Sequence, residues 1–188
     1  MAALEVCFVT PTSAAAIIAA LVARGATVAT AESLTAGLVC AALTSVPGAS
    51  AVVRGGVVSY AVSVKADVLG VDPDLIDRQG AVDPAVAVQM AIGARRILGS
   101  DYAIATTGSA GPDPNPGGLL AGPVPPGRGF VAVAGPAGEV VAGFACEGED
   151  RDGVRRYAVE AALDLLGRVL AETGDDGRSS ARAGSVEP

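Results

Sequence analysis

The chain has 188 residues, a net charge of −7 and 51% hydrophobic residues, of which aromatics supply only 3% of the chain. That length and apolar content predict one globular domain with a real core, and the acidic balance excludes a duplex nucleic-acid binder, whose phosphate contacts need clustered Lys and Arg. The chain contains no histidine, so a Ser-His-Asp hydrolase is excluded, and Cys7, Cys40 and Cys146 have no zinc-ligand spacing.

In chain order, 13–24 reads as a helix capped by Ser13 and stopped by Gly25. A short β-like run follows over 27–31. An Ala/Leu-rich helix is expected from Ser33 to about Leu43, ended by Pro47-Gly48. Val52, Val53, Val57 and Val58 predict a strand within 51–60, with a bulge at Gly55-Gly56. Lys65 falls in a short helix ending at Gly70. Asp72-Pro73 and Asp83-Pro84 each read as an Asp cap followed by Pro at the first helical position, the second helix running to Leu98. Residues 101–107 predict a buried strand.

Residues 108–129 are rich in Gly and Pro and predict no regular structure. A hairpin is expected from 130–134 and 139–146 across Gly135-Pro136-Ala137-Gly138, then a long helix from Arg151 to about Glu172. The small, polar stretch 173–188 reads as a disordered tail after a single domain over 1–172. Alternating strands and helices with a late hairpin predict a three-layer α/β/α sandwich with a mixed sheet. No apolar run reaches membrane-spanning length, and the N-terminus lacks the basic region of a signal peptide, so a cytoplasmic protein without membrane contacts is expected.

Lys65 is the single lysine among thirteen basic residues. Lysine can lose its proton when its pKa is depressed and arginine effectively cannot. With no imidazole in the chain, Lys65, helped by Tyr60, is the candidate base for a Ser33 nucleophile. Taken alone, Ser33 also fits a plain N-cap, and Tyr60 and Lys65 a surface pair. A hydroxyl at a helix N-terminus would have backbone amides nearby to meet an oxyanion or a phosphate. Thr35 and the small Ala36-Gly37 pair permit close approach of a ligand. Thr107-Gly108-Ser109-Ala110-Gly111-Pro112 follows a predicted strand, where α/β folds bind ligands. Arg151 and Arg155, four apart at the start of the last helix, offer one arginine to an anionic ligand or a partner subunit.

These segments together resemble the family of CinA C-terminal domains, which includes nicotinamide-nucleotide amidohydrolases. The matching pieces are Ala31-Glu32-Ser33-x-Thr35-x-Gly37, Leu43-Thr44-x-x-Pro47-Gly48-x-Ser50, Gly55-Gly56-Val57-Val58-Ser59-Tyr60 with Lys65, and Leu69-Gly70-Val71. Gly80-Ala81-Val82, Met90-Ala91, Thr107-Gly108-x-Ala110-Gly111-Pro112 and Asp150-Arg151-x-x-Val154-Arg155 continue the series. The resemblance implies deamidation of nicotinamide mononucleotide to nicotinic acid mononucleotide and ammonia, which recycles pyridine nucleotide. Ser33 would be the nucleophile and Tyr60 and Lys65 the acid-base pair. Glu32, Thr35, Gly37, Thr107, Gly108, Ala110, Gly111 and Arg151 would contact substrate. No metal or other cofactor is implied, and a homo-oligomer, a dimer foremost, is expected.

The chain departs from the family pattern at Leu34, Ala36, Val62, Asp83 and Ser109, where Cys, Gly, Asn, Ser and Ile are usual. A Lys-Pro-Val-Gly segment is replaced by Pro123-Val124-Pro125-Pro126-Gly127-Arg128-Gly129, in which Arg128 is a candidate for the lost positive charge. Two alternatives follow from these changes: an amidase with a different substrate, or a non-catalytic nucleotide-binding or protein-interaction module.

Overall fold

The computed structural model describes residues 4–5 and 12–173. Six strands form one mixed sheet in the order β1-β6-β5-β4-β2-β3. β2 (Val28–Glu32) runs parallel to both β3 (Val53–Val58) and β4 (Tyr102–Ser109). β4 is antiparallel to β5 (Arg128–Gly135), which is antiparallel to β6 (Gly138–Ala145). The two-residue β1 (Leu4–Glu5), which the sequence reading did not anticipate, adds parallel to β6.

The central strands are small and apolar on both faces, as a sheet covered on both sides requires. β2 is buried at every position. On one face, α1 (Ala14–Arg24), α2 (Leu38–Thr44) and α6 (Arg151–Glu172) supply Ile17, Leu21, Leu43, Leu166 and Leu170 to a core with Val28, Ile104 and Val131. On the other, α4 (Pro73–Gln79) and α5 (Pro84–Leu98) bring Ile76, Val86 and Met90 against Ala29, Ala103 and Ala132, joined by Leu69 after α3 (Val62–Asp67). This is a single α/β/α sandwich domain.

The caps explain the helix boundaries. The Ser13 hydroxyl accepts the Ala16 amide at 3.2 Å. Asp72 and Asp83 accept the amides of Asp74 and Ala85 at 2.9 and 2.8 Å, in the Asp-Pro arrangement that leaves no donor wasted at the first turn. The β3 irregularity falls at Arg54, between Val53 and Gly55, one residue earlier than the glycine pair suggested. The irregular loop is shorter than the 108–129 expected: β4 extends to Ser109 and β5 starts at Arg128, because those ends pair with each other, and residues 110–127 are irregular except for a bridge between Asn115 and Val124. Thr173 is the C-cap of α6 rather than the first residue of a tail; residues 174–188 and Cys7 lie outside the described residues.

No helix starts at Ser33. Residues 33–37 form a turn, and α2 begins only at Leu38. Ala36 (φ 50°) and Gly37 (φ 97°) are both left-handed, and this pair of reversals is what delays the helix.

Candidate active site

The chain leaves β2 in one direction for β3 and returns across it to β4, so the carboxyl ends of β2 and β4 open into a crevice where the strand order diverges. A cleft of about 290 Å³ lies there, with Ser33 and Lys65 in its floor and Tyr60, Val82, Gly108–Gly111, Asp113 and Arg151 in its walls.

The Lys65 Nζ sits 3.0 Å from the Ser33 Oγ. It also reaches the carbonyl oxygens of Ser59 at 2.5 Å and Tyr60 at 3.4 Å. Lys65 is 1% exposed and has no carboxylate among its hydrogen-bond or ion-pair partners. Burial therefore pushes its pKa from 10.5 down to about 8, because removing water penalises the ammonium and spares the amine. α3 makes this possible: it follows β3 directly and turns Lys65 back under the end of β2. A serine hydroxyl within hydrogen-bond reach of a lysine whose pKa is lowered has the geometry and the charge behaviour that activation of a nucleophile requires.

Two groups hold the turn that carries Ser33. The buried Glu32 carboxylate accepts the amides of Gly37, Val39 and Cys40 at 2.8–3.0 Å and the Thr30 hydroxyl at 3.1 Å. Its charge thus meets the α2 N-terminus, and those amides are unavailable to an oxyanion or a phosphate. From the opposite side, the Arg155 guanidinium donates to the carbonyls of Leu34 and Thr35 at 3.0 and 3.3 Å. Arg155 was visible in sequence only as a neighbour of Arg151; nothing local indicated that it reaches back 121 residues. The Leu34 N–H makes no hydrogen bond to any described residue. With the helix amides taken by Glu32, it is an unpaired backbone donor next to Ser33.

The remaining expected residues divide. Thr107, Gly108, Ala110, Gly111 and Arg151 line the cleft, although the Thr107 hydroxyl proton is taken by the Ala81 carbonyl at 2.6 Å. Arg151 donates to the Gly111 carbonyl at 2.7 Å and the Tyr60 hydroxyl at 3.0 Å, which leaves three of its N–H groups free. Tyr60 is 61% exposed, and its hydroxyl bonds Arg151, not Lys65 or Ser33. A direct proton relay from Tyr60 to Lys65 is not assembled here; the phenol instead offers its own proton to whatever fills the cleft. Glu32, Thr35 and Gly37 do not line the cleft. Thr35 is fully buried, bonded to Thr106 at 2.7 Å. Arg128 lies outside the cleft, paired with Glu147 at 3.4 Å, so it does not restore a charge there.

The model of the CinA C-terminal domain matches residues 11–170. The chain belongs to the CinA C-terminal domain family. It is 48% identical over 155 residues to a CinA-like protein of Frankia casuarinae, covering 82% of this chain and 34% of that protein. It is 45% identical over 149 residues to a CinA-like protein of Thermosynechococcus vestitus, covering 78% and 35%. The chain thus spans about a third of the length of the curated relatives it matches. Among solved structures it is similar to the competence/damage inducible protein CihA of Agrobacterium tumefaciens, with 36% identity, a TM-score of 0.75 and coverage of 84% of this chain and 93% of that one. A CinA superfamily protein of Klebsiella pneumoniae gives 32% identity, a TM-score of 0.77 and coverage of 85% and 96%. No helix among the described residues of this CinA-family domain is long and apolar enough to cross a membrane.

Proposed function

We propose that this cleft hydrolyses the carboxamide of nicotinamide mononucleotide to nicotinic acid mononucleotide and ammonia. The observation that carries the reading is the buried Lys65 amine 3.0 Å from the Ser33 hydroxyl, and CinA-family membership supports it.

Neutral Lys65 takes the Ser33 proton as Oγ attacks the carboxamide carbon. Negative charge gathers on the former carbonyl oxygen, and the unpaired Leu34 N–H is the donor we assign to it. The Lys65 ammonium then gives its proton to the departing nitrogen. The C–N bond breaks, ammonia leaves, and a nicotinoyl ester remains on Ser33. Water attacks the ester carbon with Lys65 as base, the C–Oγ bond breaks, and the proton returns to Ser33. The free N–H groups of Arg151 are suited to the phosphate, because a guanidinium matches its oxygens in pairs.

The test is ammonia release from nicotinamide mononucleotide by the purified protein, beside Ser33→Ala. Release that falls to background in the variant, with the thermal transition unchanged, supports the reading; release that survives the substitution overturns it. A second reading, an amidase with another substrate, is favoured by the outward turn of Arg128. It predicts Ser33-dependent ammonia release from a different carboxamide.

A further inference from the structure

The cleft carries two charges that do not neutralise each other. Arg151 holds the Gly111 carbonyl, and Asp113 stands two residues further along the same segment. Both side chains line the cleft, yet no ion pair joins them, and Asp113 makes no hydrogen bond to any described residue. The loop bearing Asp113 is anchored. Asn115 and Val124 exchange two backbone hydrogen bonds at 2.9 and 2.8 Å, and the Leu119 and Leu120 amides bond the carbonyls of Asp77 and Arg78 at the end of α4. Two opposite charges that line one cleft without forming an ion pair suit a ligand that itself carries both signs. Tyr60, the aromatic residue in the wall, adds a ring face of the kind that attracts a cation.

We infer that Asp113 is a specificity residue that reads positive charge on the ring bearing the scissile carboxamide. The inference rests on the proposed pyridine-nucleotide reading and deepens it. In nicotinamide mononucleotide the ring nitrogen is quaternary, so the pyridinium is cationic while the phosphate is anionic. In the reduced nucleotide the ring is a neutral dihydropyridine of nearly the same outline. Arg151 serves the anion common to both. Asp113 favours the oxidised ring, and a carboxylate at an exposed site gives a preference of about threefold to fivefold at low salt.

The experiment measures binding, so that it stands apart from turnover. Ser33→Ala protein, and the same protein carrying Asp113→Asn, are titrated with nicotinamide mononucleotide and with its reduced form at low ionic strength. The expected result is a threefold or greater preference for the oxidised nucleotide that Asp113→Asn abolishes while binding of the reduced form changes by less than about 1.5-fold. No preference, or a preference that survives Asp113→Asn, overturns the inference even if the wild-type protein releases ammonia. If the wild-type protein releases no ammonia but the preference and its loss are seen, the amidase reading fails and the charge reading stands. Absence of binding to either nucleotide overturns both.

Discussion

Replacing Lys65 by Met should make the protein more stable near neutrality while removing its proposed base. Holding an ammonium whose pKa has fallen from 10.5 to about 8 costs the folded state about 3 kcal/mol at pH 7 relative to the unfolded chain. Methionine has similar length and no charge, so that cost disappears. Against it stands the loss of the donor to Ser59 and Ser33, which costs about 1–2 kcal/mol. The net gain at pH 7 is about 1–2 kcal/mol. The sign then reverses with pH. Between about pH 8 and 10.5 the unfolded chain binds a proton at this lysine that the folded state does not. Wild-type stability therefore climbs through that window by about 3 kcal/mol relative to Lys65→Met. Urea denaturation of both proteins at pH 7 and pH 10.5 measures the difference, with all other alkaline titrations shared. Lys65→Met should be the more stable at pH 7 and the less stable at pH 10.5. A stability difference that is the same at both pH values would refute the account of Lys65 as a desolvated, uncompensated cation.

The same titration governs activity: kcat/KM for ammonia release should rise with pH through about 8, as the free protein converts Lys65 to the amine, and a flat profile between pH 6.5 and 9 would remove Lys65 from the base role. At Ala36, φ is 50°, where an L side chain costs about 1–2 kcal/mol; Ala36→Gly should raise stability by about 0.5–1 kcal/mol after the extra freedom of unfolded glycine is counted, as read by the midpoint of urea unfolding.

The legible parts of the fold were those written in adjacent residues. Asp72-Pro73, Asp83-Pro84 and Ser13 name helix starts because a cap and its helix are neighbours, and Pro136-Ala137 sits at the turn of the β5–β6 hairpin. Ser33 and Lys65 could be paired because the absence of histidine left few bases to choose from. What failed depended on distant partners. Leu38–Thr44 has ordinary helical composition, and nothing in it says that Ala36 and Gly37 turn left-handed first. Glu32 was carried over as a substrate contact by the family resemblance, whereas its partners are the Thr30 hydroxyl and three backbone amides, which have no sequence signature. Tyr60 was expected to help Lys65 as an acid-base pair, whereas its hydroxyl is claimed by Arg151, 91 residues away. β1 is two residues long and rests entirely on pairing with β6.

The grip of Arg155 on Leu34 and Thr35 has a consequence for the order in which the molecule comes into being. Ser33 and Lys65 leave the ribosome before the guanidinium that fixes the Ser33 turn, which is made 121 residues after Leu34. A nascent chain that has completed β2, β3 and α3 therefore holds both reactive groups without the geometry that joins them to a cleft. Docking of the first turn of α6 completes that geometry, so the Ser33 turn is fixed by a helix synthesised after the segment that carries it, not by that segment itself.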